Sequence, residues 1–206
     1  MKPIIRLVVC IAVLAGIAGN CSALVQMTLN NSGSLIQGNT YVGPYSFTVG
    51  SQSASLVCDD FNSEVWAGES WNANAYTFSD LSHTKCAAAG LQKYGEAAWL
   101  YEKGLLQPGA WGNIQYAIWA VFNPTTVEAS AGWTTGSSTW LTAAQQQTFT
   151  ADEFPGITIY TPTDLTSGPQ EFIGGYEVPE TSSSILLFGL GLVGIVAMRY
   201  GTHKCG

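Results

Sequence analysis

Two short segments carry the residues best suited to chemistry. Leu56-Val57-Cys58-Asp59-Asp60-Phe61 sets a thiol ahead of two carboxylates, and Asn113-Ile114-Gln115-Tyr116-Ala117-Ile118-Trp119 sets a carboxamide among apolar and aromatic side chains. A cysteine attacks carbonyl groups as its thiolate. At helical spacing Trp111 and Trp119 fall four residues either side of Gln115 and share its face. A glutamine on such a stripe is withdrawn from water, so its amide must find partners in the protein. Other catalytic sets are missing from the sequence: there is no Gly-x-Ser-x-Gly, no His-Glu-x-x-His and no phosphate loop. His83 stands beside Ser82 with no third member of a triad, and Glu96 and Glu102 read as a solvated helix face. Asp59, Asp60 and Glu64 have the oxygen chemistry that calcium takes, but no calcium-loop pattern surrounds them and acids at a strand end are turn formers. No cofactor and no metal are expected. Among the seven tryptophans, Trp133 and Trp140 flank a loop and are placed to stack on a sugar.

A strand cysteine followed by an acid, with a buried glutamine in a Gln-x-Ala-Ile-Trp helix, resembles the thioester domains of Gram-positive surface adhesins. The resemblance implies an internal thioester between the sulfur of Cys58 and the carbonyl of Gln115, formed with loss of ammonia, with Trp119 as a wall. That chemistry needs a soft sulfur nucleophile, an amide to supply the acyl group, and apolar walls that hold water off until an amine arrives. Two alternatives stay open. Cys58 and Cys86 are the only cysteines between the two termini, and an even pair in an oxidising compartment pairs by default; such a bond would consume the thiol and stabilise the fold by about 3 kcal/mol. Otherwise Cys58 merely fills space and Gln115 anchors a loop carbonyl.

The elements that must position these residues follow from periodicity. Val25, Met27 and Leu29 alternate with polar neighbours, which predicts a strand over 24–30. Further strands are expected over 41–49, broken at Gly43-Pro44, over 52–61, at 64–66 and over 71–78. The period then changes. Leu91, Tyr94, Ala98, Tyr101 and Leu105 mark one face of a helix, ended by Gly104 and Pro108-Gly109. A second helix is expected over 111–122, stopped by Asn123-Pro124, then a Gly/Ser/Thr-rich loop over 130–138 and a third helix over 139–151. Strands return at 157–161 and 170–176. The sum is an α+β domain, antiparallel and β-rich with a two- to three-helix insert, followed by one C-terminal transmembrane helix.

Both ends of the chain read as addresses. Lys2 and Arg6, the apolar run 7–18 and the small residues through Ala23 predict a signal peptide over 1–23. An extracytoplasmic domain over 24–177 follows. At the other end stand Val178, Pro179, Glu180 and Thr181, an uncharged Gly/Leu-rich helix over about 182–198, and a tail over 199–206 with Arg199 and Lys204. The helix would be about 26 Å long, at the short end of a membrane span, and basic residues hold that flank in the cytoplasm. This order of parts over 178–206 resembles the PEP-CTERM sorting signal of bacterial exported proteins. The resemblance implies recognition by an exosortase, a membrane protease/transpeptidase, and a place at the cell surface or in exopolysaccharide matrix. All fourteen acids but only three of the seven basic residues lie over 24–181, a balance that does not favour nucleic acid. The expected role is therefore a non-catalytic, structural or adhesive surface protein, anchored by its C-terminal helix. A covalent bond to a surface amine, or binding of a polysaccharide, is the alternative.

Overall fold

The computed structural model describes residues 23–175. The sorting residues Val178, Pro179 and Glu180, the expected transmembrane helix and all but the last residue of the expected signal peptide lie outside them. Among the described residues no helix is long and apolar enough to cross a membrane.

The fold is α+β. Six antiparallel strands close a barrel: β1 (Ala23–Asn31), β4 (Tyr45–Val49), β5 (Gln52–Cys58), β8 (Phe172–Gly175), β7 (Ile157–Pro162) and β6 (Ser70–Tyr76), in that order around the wall. Closure satisfies every strand edge. β1 joins β4 with Met27 opposite Val49, and β6 with Met27 opposite Trp71. The last link is β5 to β8, where Val57 faces Ile173 and Cys58 faces Phe172. Alternation sends Met27, Leu29, Phe47 and Leu56 into the core. Phe47 meets Phe172 edge-on at 4.6 Å between ring centres. Outside the barrel wall, β2 (Ile36–Gln37) and β3 (Thr40–Tyr41) form a separate two-stranded ribbon. Its turn, Gly38-Asn39, has both residues at positive φ, as a two-residue hairpin of the right twist requires.

The helices interrupt the barrel between β6 and β7: α1 (Gly90–Leu106), α2 (Trp111–Phe122), α3 (Pro124–Glu128) and α4 (Thr135–Gln145). α1 packs on β8 and α2 on β5. Tyr94, Ala98 and Tyr101 of the predicted α1 face are buried, and α2 is apolar almost all round, so only Asn113 and Phe122 escape full burial.

Several expectations are corrected. Glu64–Trp66 forms no strand: Trp66 projects into solvent and its N–H is held by the Glu69 carboxylate at 3.0 Å. Gly104 does not end α1. It lies buried within the last turns, and a Cβ there would strike the Trp111 ring. The 130–138 loop is shorter than expected, because the Thr134 hydroxyl caps α4 by accepting the Ser137 N–H at 3.2 Å. The insert holds four α-helices, not two or three. Glu96 is buried and receives the Gln92 amide, so it is not on a solvated face.

Candidate functional site

Cys58 is the last residue of β5, and Gln115 sits mid-way along α2, which lies against that strand. Both are 0% exposed. The Gln115 Nε2 donates to the backbone carbonyl of Cys58 at 2.5 Å, and Gln115 Oε1 accepts the Gly43 N–H at 3.3 Å. The fold thus brings together the two residues singled out from sequence, and the amide of one is held against the other from both ends.

The sulfur is equally constrained. As β5 ends, the chain folds back so that the Cys58 thiol donates to the Asp60 carbonyl at 3.0 Å and faces the Asp60 N–H at 3.3 Å. The Trp119 indole N–H finds no oxygen partner and lies beside the sulfur, where it favours the thiolate. Burial outweighs it and pushes the thiol well above its ordinary pKa, and the neighbouring Asp59 charge adds to that rise. Aromatic rings complete the wall. Tyr116 lies edge-on to Trp119 at 5.1 Å, and Phe61 lies at 5.2 Å from Trp119. A charge on Cys58 would also raise the already buried Tyr45 phenol, which places that ring close by. The site is dry, and a neutral sulfur is the form it accommodates best.

Next to it lies a second polar group that no sequence pattern announced. Asp59 and Glu171 are both buried and near enough for each charge to act on the other, and neither Asp59 oxygen has a hydrogen-bond partner among the described residues. Glu171 accepts from the Tyr94 hydroxyl, the Thr161 hydroxyl and the Lys85 N–H, the last at 2.7 Å. Burial raises both acids; Asp59 is raised further by the charges of Glu171 and Asp60, while the donors around Glu171 oppose its rise. Asp59 is therefore the acid whose charged form the site disfavours more. Asp60 is paired with Lys85 at 2.6 Å. That ion pair, and the exposed position of Glu64, leave the three acids apart as a calcium set.

The remaining candidates sit elsewhere. Cys58 and Cys86 are both free thiols, so the alternative disulfide is not formed in this structure. His83 is exposed and packs on the Tyr76 ring. Trp133 and Trp140 are half-buried against the core, and Trp140 meets Trp99 at 6.3 Å. Gly43 was missed. Its role is carried by a backbone N–H, and the Gly-Pro pair around it reads only as a break. In comparisons with family models, with curated proteins and with solved structures, nothing matches this chain.

Proposed function

We propose that the domain forms an internal thioester between Cys58 and Gln115 and uses it once, to join the protein covalently to an amine on a partner surface. The observation that carries this reading is the seating of the Gln115 amide, fully buried, against Cys58 and under the Gly43 N–H. In forming the bond, the sulfur adds to the amide carbon, the C–N bond breaks, and the thiol proton leaves with the nitrogen as ammonia. The Gly43 N–H draws charge onto the carbonyl oxygen as the tetrahedral intermediate forms. The Trp119 N–H favours sulfur as nucleophile and later as leaving group. The acylated sulfur is uncharged, which suits the dry site better than a thiolate. An incoming amine reverses the logic: an N–C bond forms, the S–C bond breaks, and the amine proton returns to sulfur. The glutamyl group is consumed, so no turnover follows.

The rest of the reading is geographical. The chain is exported, sorted through the motif at Val178, Pro179 and Glu180 by an exosortase-type protease/transpeptidase, held in the membrane by the helix over 182–198, and delivered to the cell surface or its exopolysaccharide. The sequence of motifs at both ends supports this, and so does the acidic composition between them. A tethered reactive acyl group makes physical sense in that setting, because one bond suffices for permanent attachment. Intact mass decides the chemical part. The wild-type chain is expected one ammonia lighter than calculated for its N-terminus, and Cys58→Ala is expected at full mass. Full mass in the wild type ends the thioester reading.

A further inference from the structure

Neither Cys58 nor Gln115 exposes any surface, so an amine has no route to the carbonyl in the conformation described. What stands over them is the segment that carries the β2–β3 ribbon. It leaves β1 beyond Asn31 and re-enters the barrel at Tyr45, and on the return it supplies buried Val42 and the Gly43 N–H that touches Gln115. We propose that this ribbon is a lid over the Cys58–Gln115 pair, latched by Gln37, and that it must lift before an acceptor amine can reach the acyl group. The inference rests on the thioester reading for its purpose, though its geometry does not depend on it.

The way the ribbon is held is what distinguishes a lid from a wall. It contributes no strand to the barrel. Its larger apolar side chains, Leu35, Ile36 and Tyr41, are 44%, 57% and 50% exposed already, so lifting it uncovers little further apolar surface from them. Val42 anchors it in the core, and polar contacts fasten the rest. The Gln37 side chain donates to the Gly132 carbonyl at 2.7 Å and to Asn113 Oδ1 at 3.3 Å. The Tyr116 hydroxyl donates to the Gln37 carbonyl at 3.1 Å, and the Tyr45 hydroxyl to the Tyr41 carbonyl at 2.9 Å. Water replaces such bonds at modest net cost once the groups are exposed.

The seat is shaped for close approach. A Cβ at Gly38 would overlap the backbone of Gly132, one at Gly112 would overlap the Gln37 amide, and one at Gly132 would overlap the Tyr116 ring. Three glycines on three separate segments let the ribbon lie flush on the start of α2 and on the loop before α4. The latch is also wired to the site. Tyr116 and Tyr45, which hold the ribbon, are the rings that stand beside Trp119 and Cys58, and the Gly43 bond ends on the reacting carbonyl itself. Lifting the ribbon removes that N–H from the oxygen as it opens the path, so re-closure on the bound amine would restore the carbonyl's polarisation.

The test uses the full chain as wild type, Gln37→Ala and Tyr116→Phe. With the thioester present, methylamine incorporation at Gln115 is followed by mass. Each variant is expected to react about tenfold faster or more, the order that losing one or two such bonds gives for an opening equilibrium. Equal rates in all three overturn the lid. If the wild type carries no thioester, iodoacetamide alkylation of Cys58 in the native chain reads the same opening: faster in both variants supports the lid, unchanged rates overturn it. The second readout thus separates failure of the lid from failure of the thioester. Should both variants lose cooperative unfolding, the ribbon is an integral part of the fold and the proposal falls.

Discussion

The Gly43 N–H meets Gln115 Oε1 at 3.3 Å, and a Cβ on residue 43 would stand 2.7 Å from that same oxygen. The same atom would also lie 3.1 Å from Val57 Cγ1 and 3.3 Å from the Tyr45 ring. The Gln115 oxygen is the end of a side chain and can move; Val57 and Tyr45 have to shift by only a few tenths of an ångström. Gly43→Ala is therefore expected to fold, at a cost of about 1–3 kcal/mol, with the amide pushed off its seat. Intact mass should show no loss of ammonia, while the thermal transition stays cooperative. An ammonia deficit equal to wild type would mean the contact plays no part.

Cys58 gives a pH signature of its own. Burial, then the Asp59 charge, raise its thiol well above the ordinary value. Once the thioester has been opened by methylamine, the regenerated thiol should alkylate slowly, and its rate should still be climbing above about pH 10, where an unperturbed cysteine has levelled off. In urea the same residue should titrate normally. Cys86, which burial pushes up to about 12, should behave as a second slow thiol, resolved by peptide mapping. A plateau near the ordinary thiol value in the native chain would contradict the buried geometry.

What the sequence disclosed and what it withheld divide along the range of the interaction. The alternation of Val25, Met27 and Leu29 announced β1, and the stripe of Trp111, Gln115 and Trp119 announced both α2 and a glutamine in need of partners, because each pattern lies within a turn or a strand. Barrel closure was not legible, since Val57 and Cys58 pair with Ile173 and Phe172 from the far end of the domain. Glu64-Val65-Trp66 has strand-forming types but no strand to pair with, so tertiary context overrode propensity. Thr134 caps a helix from inside a Gly/Ser/Thr-rich run that looks like a loop. The ribbon went unseen because each of its strands has two residues, too few for any period. Cys58 and Gln115 were both visible as types. Their contact, and the backbone donor at Gly43, required the fold.

The sorting segment makes a cellular prediction. If Val178, Pro179 and Glu180 are read by an exosortase and the helix over 182–198 anchors the chain, a chain lacking 178–206 should be released into the medium, and Glu180→Ala alone should slow processing of the C-terminus. Fractionation of cells expressing each form, followed by C-terminal mass analysis, checks both. Unchanged retention of the shortened chain would leave the anchor reading without support.

Asp59 and Glu171 should make stability depend on pH in the direction opposite to carboxylates that ion pairs hold charged. Burial raises both, so the folded chain keeps a proton on the pair at pH values where the unfolded chain has lost it. The folded state then binds more protons than the unfolded one, and stability falls as pH rises from about 4 toward the raised folded value. Asp59→Asn removes the buried group that binds the proton and leaves Glu171 accepting from the Tyr94 and Thr161 hydroxyls and the Lys85 N–H. Chemical denaturation at acidic and neutral pH should show the wild type losing stability across the interval and the variant losing less than half as much. Glu171→Gln tests the partner: it leaves Asp59 with an uncharged neighbour, so Asp59 should ionise at lower pH and the decline, which still begins near the unfolded value, should end earlier. Parallel curves for wild type and Asp59→Asn would show that Asp59 does not keep its proton in the folded chain.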